Sequence, residues 1–476
     1  MKQPTTFREF LDVLRENNQL LDIREPVNME PDLAAAAQAG FNLSDKSPAL
    51  LFHNLNGYTD TTKVALNMVS SWPNMALSFG MDKNSSQLDM YLELLRRWRK
   101  APVKCVQADD PPFLECVHEG KDLNIFEIIP AFRLNMCDGG PFISKGCIVT
   151  RDLSDPENVG KQNVTVMRVQ LKNKDTLGIQ MVPGHDGASH LRVAEEMGKN
   201  LPIAIAVGVD PVLVQAATAP LPYDKSEYEY AGAILQQPYK VYHSKQSGLD
   251  LPWGAEYIIE GEVLAGVREP EGPFGEFTGY YSGVSRMATI KIKRVMHRKN
   301  AIFENLLLAR PWNEEDWIMA FTVGLVFQQE LESNFSGIRA VNSMHAAGMT
   351  VIISCKPSRG GIAKAIAMRA LTAPHGQVVT KNVIVVNEDV DPFNNNDVWW
   401  ALSINVNSKN DVVIIPNLSG MPLDPSSDPP GITHKMIIDA TRPMPPETHG
   451  RYGRPILFPD TTSDWEKRLA AMIDRL

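Results

Sequence analysis

Several features that would place a sequence quickly are missing from this one. Its five cysteines (Cys105, Cys116, Cys137, Cys147 and Cys355) are odd in number and contain no C-x-x-C pair, which argues against a disulfide framework and against thioredoxin-type or ribbon-type metal motifs. No block of basic residues stands out, and 47 Lys and Arg against 56 Asp and Glu leave a net charge of -9. That balance excludes nucleic acid or an anionic membrane as a general partner, and an anionic substrate would need positive charge placed locally. The most apolar stretch, residues 202–223, is cut by Asp210-Pro211 and predicts a strand, a turn and a short helix instead of a membrane span. The opening Met-Lys-Gln-Pro-Thr has no signal-peptide core. A reduced, cytoplasmic chain without a membrane anchor is therefore expected. Neither G-x-x-x-x-G-K-[ST] nor G-x-G-x-x-G occurs, so the usual phosphate cradles are absent.

What is present is a long chain of ordinary globular composition. At 476 residues, with 43% hydrophobic and 22% charged residues, it exceeds what one core usually supports, so two or three domains are expected. Thr6-Phe-Arg-Glu9 has capping-box form, and Phe7, Phe10, Leu11 and Leu14 follow at helical spacing. Short strands at 19–23, 50–53 and 64–69 and helices at 31–41 and 86–99 complete a small α/β domain, 1–110. In the second helix Leu88, Tyr91, Leu92, Leu95 and Trp98 form one apolar face. Asp109-Asp-Pro-Pro112 marks a linker.

Residues 111–311 are strand-dense, with runs at 142–151, 163–171, 177–182, 239–243, 256–264, 288–295 and 301–308, and predict a barrel or sandwich with inserted helices. One helix is expected near 188–197. Another starts at Ser226, where Ser-Glu-Tyr-Glu229 again has capping-box form. Residues 312–476 alternate helix (316–332), strand (350–354), helix (361–371), strand (383–386), helix (398–403) and strand (412–415), which predicts an α/β layer with a largely parallel sheet. A terminal helix carries Trp465, Leu469, Met472, Ile473 and Leu476 on one face, ready to pack on its own domain or on another subunit.

The segment Glu271-Gly-Pro-Phe-Gly-Glu-Phe-Thr-Gly-Tyr-Tyr281 reads as a site. Two glycines and a proline keep it out of regular structure, so Glu271 and Glu276 can converge. Two acids in one low-dielectric pocket cannot both ionise cheaply, and one can be held protonated as a donor. A solvated acidic hairpin is the alternative. Asn163 and Arg168 lie five apart on a strand, which puts them on opposite faces unless a bulge, or a place for Asn163 at the strand's mouth, brings both to one pocket. Met181-Val-Pro-Gly-His185 ends a strand in a turn, and Asn163, His185 and Glu227 are ligand types suited to Mn²⁺ or Mg²⁺. A structural histidine and a first-turn glutamate answering a helix dipole are the alternatives. Ser-Arg359-Gly-Gly361, opening a helix, suggests an anion site weakly. The acidic loop at Asn387-Glu-Asp-Val-Asp391 reads as structural.

Taken together and in order, Gln162-Asn-Val-Thr-Val-Met-Arg168, Pro183-Gly-His185, Ser226-Glu-Tyr-Glu-Tyr-Ala-Gly232, the 271–281 segment and Glu388-Asp-Val-Asp391 resemble the UbiD family of reversible decarboxylases that use prenylated FMN. The resemblance runs from about Phe7 to Asp439. It is nearest to the large C subunit of the hydroxyarylic acid (4-hydroxybenzoate or vanillate) decarboxylases. The resemblance implies an α/β chain with an N-terminal α/β domain, a central split β-barrel holding the flavin, and a C-terminal α/β domain that assembles dimers or hexamers. It also implies Asn163, His185 and Glu227 as ligands of a Mn²⁺ that bridges to the flavin phosphate, with K⁺ nearby. Val166, Met167, Gln180, Met181, Val182 and Lys381 would line the cofactor. Arg168, Glu271 and Glu276 would form the catalytic trio.

By the same resemblance the substrate is an aromatic carboxylic acid, a flavin prenyltransferase supplies the cofactor, and small companion subunits join the enzyme. Loss of CO2 leaves two electrons on an aryl carbon, so an electron sink is required and the cofactor provides it. Arg168 is expected to position the carboxylate, Glu271 to orient Arg168, and Glu276 to deliver the proton that replaces CO2. The same chemistry on a polyprenylated hydroxybenzoate, a cinnamic acid or a heteroaryl acid is the nearest alternative. A flavin-binding assembly subunit with an idle site is a further one.

Overall fold

The computed structural model describes residues 3–310, 312–447, 452–453, 456 and 459–473. Thr6 caps the helix Phe7–Glu16 by accepting from the Glu9 N–H at 3.2 Å, while the Glu9 carboxylate reaches back to the Thr5 N–H at 2.9 Å, one residue before the cap. Phe7, Phe10, Leu11 and Leu14 are buried as their spacing predicts. Strands β1 (Leu20–Ile23), β2 (Ala49–Phe52) and β3 (Lys63–Leu66) follow, with helices Asp32–Phe41, Trp72–Ser78 and Gln87–Trp98. The helix Trp72–Ser78 was not expected, although Ser71 caps it and Pro73 sits in its first turn. In Gln87–Trp98 the buried face is Met90, Tyr91, Leu94, Leu95 and Trp98, and Leu92 points outward. Two contacts set that rotation: the Tyr91 hydroxyl donates to the Gly324 carbonyl at 3.2 Å, and Trp98 packs on Tyr230 with ring centroids 4.4 Å apart.

The strand-dense region closes into a barrel. After β4 (Val106–Gln107) and β5 (Cys116–Glu119) come β6 (Phe142–Arg151), β7 (Gln162–Asn173), β8 (Thr176–Ile179), β9 (Leu201–Val207), β10 (Lys240–His243), β11 (Asp250–Pro252), β12 (Tyr257–Glu271), β13 (Ser285–His297) and β14 (Ile302–Glu304). The order β12-β9-β6-β7-β8-β13, with β12 also paired to β13, makes six strands a closed antiparallel ring, and β5 adds to β13. The 239–243 run lies outside the barrel, because β10 pairs with β4 and β11. β14 pairs with β3 in the first sheet, so that sheet draws on residues from both sides of the division expected near residue 110. Strand β12 extends well beyond its expected end. Its ladder slips between Val263 and Arg268, where Gly266 adopts φ +70°, and resumes until Glu271 pairs with Ser285.

Helices Asp186–Glu196, Pro211–Ala216 and Glu227–Leu235 are inserted between strands. The last does not form the capping box that its sequence suggests. Ser226 makes no side-chain cap, and the Glu227 carboxylate accepts instead from the Val164 N–H at 2.8 Å.

Beyond the barrel, the single helix expected at 316–332 is two, Glu314–Met319 and Thr322–Glu332, broken at Ala320 and Phe321. Strands β15 (Ile338–His345), β16 (Thr350–Cys355), β17 (Asn382–Asn387), β18 (Val412–Ser419) and β19 (Ile432–Ala440) form a sheet in the order β15-β16-β17-β19-β18. It is mixed, not largely parallel: β16-β17 and β17-β19 are parallel, and β15-β16 and β18-β19 antiparallel. The reason is β19, an unexpected strand that takes the place beside β17 and leaves β18 as an antiparallel edge. At the start of the helix opened by Gly361, the anion is internal: the Gly361 N–H donates to the Glu447 carboxylate at 3.1 Å. The terminal helix Thr462–Ile473 leaves Trp465, Leu469 and Met472 exposed. The Ile473 side chain and Leu476 lie outside the described residues. Among the described residues no helix is long and apolar enough to cross a membrane.

Candidate active site

The 271–282 segment is a tight hairpin loop hung from the ends of β12 and β13. Glu271 is the last ladder residue of β12, not a loop residue, and this fixes its backbone. Gly272 turns the chain with φ +91°, a conformation that a side chain would strain. Gly275 is needed for a different reason: a Cβ there would stand 2.3 Å from the Asn135 amide nitrogen. Within the loop, the Ser282 N–H donates to the Phe274 carbonyl at 2.8 Å and the Glu276 N–H to the Tyr280 carbonyl at 3.0 Å, so Glu276 is held by backbone pairing.

On β7, Arg168 receives both glutamates. Its Nε and Nη2 donate to Glu271 Oε1 and Oε2 at 2.9 and 2.7 Å, and its Nη1 donates to Glu276 Oε1. Glu271 is 0% exposed, Glu276 6% and Arg168 7%. One guanidinium stands between two buried carboxylates, a formal excess of negative charge. Two further contacts were not anticipated. Ser282 Oγ accepts from Arg168 Nη1 at 3.2 Å, and the Phe274 ring lies 5.0 Å from the guanidinium carbon, in cation–π range. Phe274 was in plain view inside the 271–281 segment. Ser282 had no signal beyond following it.

A second layer clasps the loop. Asp138 Oδ1 accepts from the Gly275 N–H at 2.8 Å, and its Oδ2 from the Asn135 N–H at 2.8 Å. Gly139 N–H donates to the Pro273 carbonyl at 2.8 Å, and Gln170 bridges the Gly272 N–H and the Gly139 carbonyl. The Tyr281 hydroxyl accepts from the Cys137 N–H at 3.1 Å. The one sequence signal for this clasp is the turn composition of Asp138-Gly-Gly140.

Two of the three expected metal ligands lie at one end of β7. Asn163 is its second residue, at the strand's mouth, and the ladder irregularity lies in β6, between Ile143 and Gly146. The Glu227 carboxylate is tied to the next residue through the Val164 N–H. Burial pushes its carboxyl up to about 8. Asn163 Nδ2 is buried without a hydrogen-bond partner, and amide orientation is exchangeable, so its oxygen can turn to the same space. His185 is the N-cap residue of Asp186–Glu196. Among the described residues no three His, Cys, Asp or Glu side chains gather as a metal-binding group, and the expected set has two of these types plus an amide. A buried carboxylate beside an orphaned amide suits a hard divalent ion.

Of the expected cofactor-lining residues, Val166, Gln180, Met181 and Val182 are partly exposed and Met167 is buried. Lys381 is committed elsewhere. Its ammonium pairs with Asp424 at 3.0 Å and with the Ser426 hydroxyl, so contact with a phosphate would require that pair to open. In the acidic loop, Asp389 pairs with Arg442 at 2.8 Å and Asp391 accepts from the Phe393 N–H at 2.9 Å, structural uses both. A separate cavity of about 640 Å³, walled by Trp72, Arg310, Trp312, Trp317 and Asp391, has none of the expected site residues in its lining.

Residues 11–94, 104–311 and 316–440 match the N-terminal, Rift-related and C-terminal domains of UbiD, 3-octaprenyl-4-hydroxybenzoate carboxy-lyase. The phenolic acid decarboxylase of Bacillus subtilis (strain 168) is 51% identical over 473 residues, covering 98% of this chain and 99% of the relative. The vanillic acid decarboxylase of Sedimentibacter hydroxybenzoicus in its closed form superposes with a TM-score of 0.91 at 44% identity, over 99% of this chain and 100% of that one. The UbiD-class enzyme HmfF of Pelotomaculum thermopropionicum, in complex with FMN, superposes with a TM-score of 0.80 at 28% identity, over 94% and 97%. With three successive domains matched on one fold and relatives alike from end to end, the chain belongs to the UbiD family of carboxy-lyases.

Proposed function

We propose that this chain is a prenylated-FMN-dependent decarboxylase that reversibly converts a hydroxybenzoate-type acid to the phenol and CO2. The observation that carries the reading is Arg168, a buried cation held at three points by Glu271 and Glu276. The names of the relatives from B. subtilis and S. hydroxybenzoicus support a phenolic substrate, and the FMN complex of HmfF supports a flavin. When bound, the prenylated flavin supplies the electron sink that an aryl carbanion needs.

The chain's own residues do the rest. Arg168 orients the substrate carboxylate, and Glu271 keeps the guanidinium in place. Glu276 delivers the proton to the ring carbon that lost CO2. Asn163, His185 and Glu227 would hold Mn²⁺, which together with K⁺ would offset the negative charge of the cofactor phosphate. Steering a carboxylate without gripping it suits a group that must let CO2 go.

Assembly into a homo-oligomer fits the exposed Trp399, Trp400 and Ile404 of the helix Asn395–Asn405 and the exposed face of the terminal helix. A small companion subunit is part of the same reading, in line with the two-component S. hydroxybenzoicus enzyme.

The test is co-expression with a flavin prenyltransferase, followed by mass and absorbance of the bound cofactor, metal analysis, and CO2 release from a panel of aromatic acids. Prenylated FMN with stoichiometric Mn²⁺ and turnover of 4-hydroxybenzoate or vanillate is expected. Glu227→Gln should lose both metal and cofactor on dialysis. Full activity with unmodified FMN, or none on any aromatic acid with the cofactor bound, would overturn the reading.

A further inference from the structure

Asp138 is a buried carboxylate, 5% exposed, that belongs to neither the expected trio nor the expected metal set. Burial raises its carboxyl above the usual range, against the pull of backbone N–H donors and of the charge of Arg168. Both its oxygens accept such bonds, from Gly275 and from Asn135, and donors of this kind favour the charged form. The N–H it holds belongs to Gly275, the residue directly before Glu276. Asp138 thus ties the loop to the clasp through the Gly275 and Asn135 N–H groups, beside the Cys137–Tyr281 and Gly139–Pro273 contacts, and Asn135 Nδ2 anchors the clasp on the Leu308 carbonyl at 2.9 Å.

The charge count around Arg168 then matters. Arg168 is bonded to Glu271 from the end of β12 and to Glu276 from the loop, with Ser282 and Phe274 as neutral contacts, and its charge reaches Asp138 in the clasp. Tyr281 and Cys137 are titratable groups beside Asp138. Three carboxylates around one guanidinium cannot all be anions cheaply in a buried site. Glu271 meets the arginine through both oxygens, and both oxygens of Asp138 accept backbone N–H bonds. Glu276, bound to the arginine through one oxygen, is the member left to carry the proton.

We propose that Asp138 is a positioning residue that acts in two ways: it fixes the turn that presents Glu276, and its negative charge keeps Glu276 loaded with a proton. The inference rests on the reading of Glu276 as the proton donor. It adds that the donor's readiness is set by a carboxylate outside the family's three motif residues.

The experiment uses the holoenzyme. Asp138→Asn keeps an acceptor for the Gly275 N–H and removes the charge. With less like charge nearby, Glu276 gives up its proton at lower pH, so the alkaline limb of the rate profile should move down by about one pH unit. A fall in rate on the acidic plateau reads the loosened turn, and the position of the limb reads the charge. Asp138→Ser, neutral and smaller, should move the limb in the same direction even where its rate is lower. Cofactor content and melting temperature are measured alongside. A limb that stays in place in both variants, or a uniform fall in rate at every pH, makes Asp138 purely structural and overturns the proposal. Exchange of the phenol ring proton with D2O separates the two readings. If Glu276→Gln exchanges at the wild-type rate, the donor assignment fails and this inference with it. If Glu276→Gln loses exchange while the Asp138 variants keep the wild-type profile, only this inference fails.

Discussion

Arg168 and Glu271 meet along two parallel N–H···O contacts, 2.9 and 2.7 Å long, with the glutamate sealed from solvent. Because Glu271 closes the β12 ladder opposite Ser285, the sheet itself aims the arginine. A bidentate pair of this kind fixes the plane of the guanidinium as well as its position. Glu271→Ala should leave a buried cation with one carboxylate partner fewer and cost on the order of 3–5 kcal/mol of stability. Glu271→Gln, isosteric and still an acceptor, should cost less stability but lower kcat/KM for the acid. Thermal melts and steady-state kinetics on both variants check this, and equal melting temperatures for Glu271→Ala and wild type would contradict it.

The close approach of two backbones at Gly139 gives a second expectation. A Cβ on Gly139 would sit 2.2 Å from the Gly272 carbonyl oxygen, so Gly139→Ala must push the catalytic loop away. Gly283→Ala, where nothing lies within 4 Å, is the matched control. We expect Gly139→Ala to lower kcat about 10-fold or more through a displaced Glu276, since small misplacements at a reacting centre are costly. Gly283→Ala should stay within about twofold. Comparable rates in the two variants would mean that the clasp does not set the loop.

Much of this architecture was legible in the residues because local signals and tertiary structure agree. Phe7, Phe10, Leu11 and Leu14 predicted a helix face that is buried, and 142–151 reads as a strand from end to end. What was not legible depends on partners remote in sequence. Leu92 faces out because Tyr91 and Trp98 are claimed by other domains, and the C-terminal sheet is mixed because β19 intervenes between β17 and β18. At the site, the glutamates and the arginine were visible as types, and the fold brings them into contact. Asp138 and Ser282 were hidden because a buried carboxylate and a serine carry no pattern of their own. The Asp424 partner of Lys381, a residue expected near the cofactor, was likewise not legible in the sequence.

A buried cluster away from the chemistry predicts a pH dependence of stability. Lys145 on β6 pairs with Glu304 at 2.5 Å and Glu314 at 2.6 Å, joining barrel, first sheet and the helix Glu314–Met319. Burial first, and then the charges of Glu314 and Asp210, push the Glu304 carboxyl up to about 7 against the attraction of Lys145. Its folded-state value thus lies above the unfolded one, so the folded form binds more protons. Stability from this group is present below about pH 4.5 and is lost as pH rises towards 7. Glu304→Gln should flatten that fall, by on the order of 1–3 kcal/mol across the window. Denaturant melts at about pH 5, 6 and 7 span that window, and parallel curves for variant and wild type would show that Glu304 titrates normally.

The last expectation concerns Glu276, which meets Arg168 through a single oxygen while Glu271 uses both. On the proposed reading, that asymmetry gives the two acids different work: the doubly paired Glu271 orients Arg168, and the singly bound Glu276 exchanges a proton with a ring carbon. Glu276→Gln keeps size and an acceptor for Arg168 Nη1, so cofactor content and melting temperature should be close to wild type. Both decarboxylation and D2O exchange at the ring should fall by about 10²–10⁴-fold, the usual loss for a general acid, because both need one transfer at one carbon. Should decarboxylation stop while exchange continues, Glu276 would be acting on the carboxylate and not on the proton, and Glu271 or a water relayed through Ser282 would have to carry it.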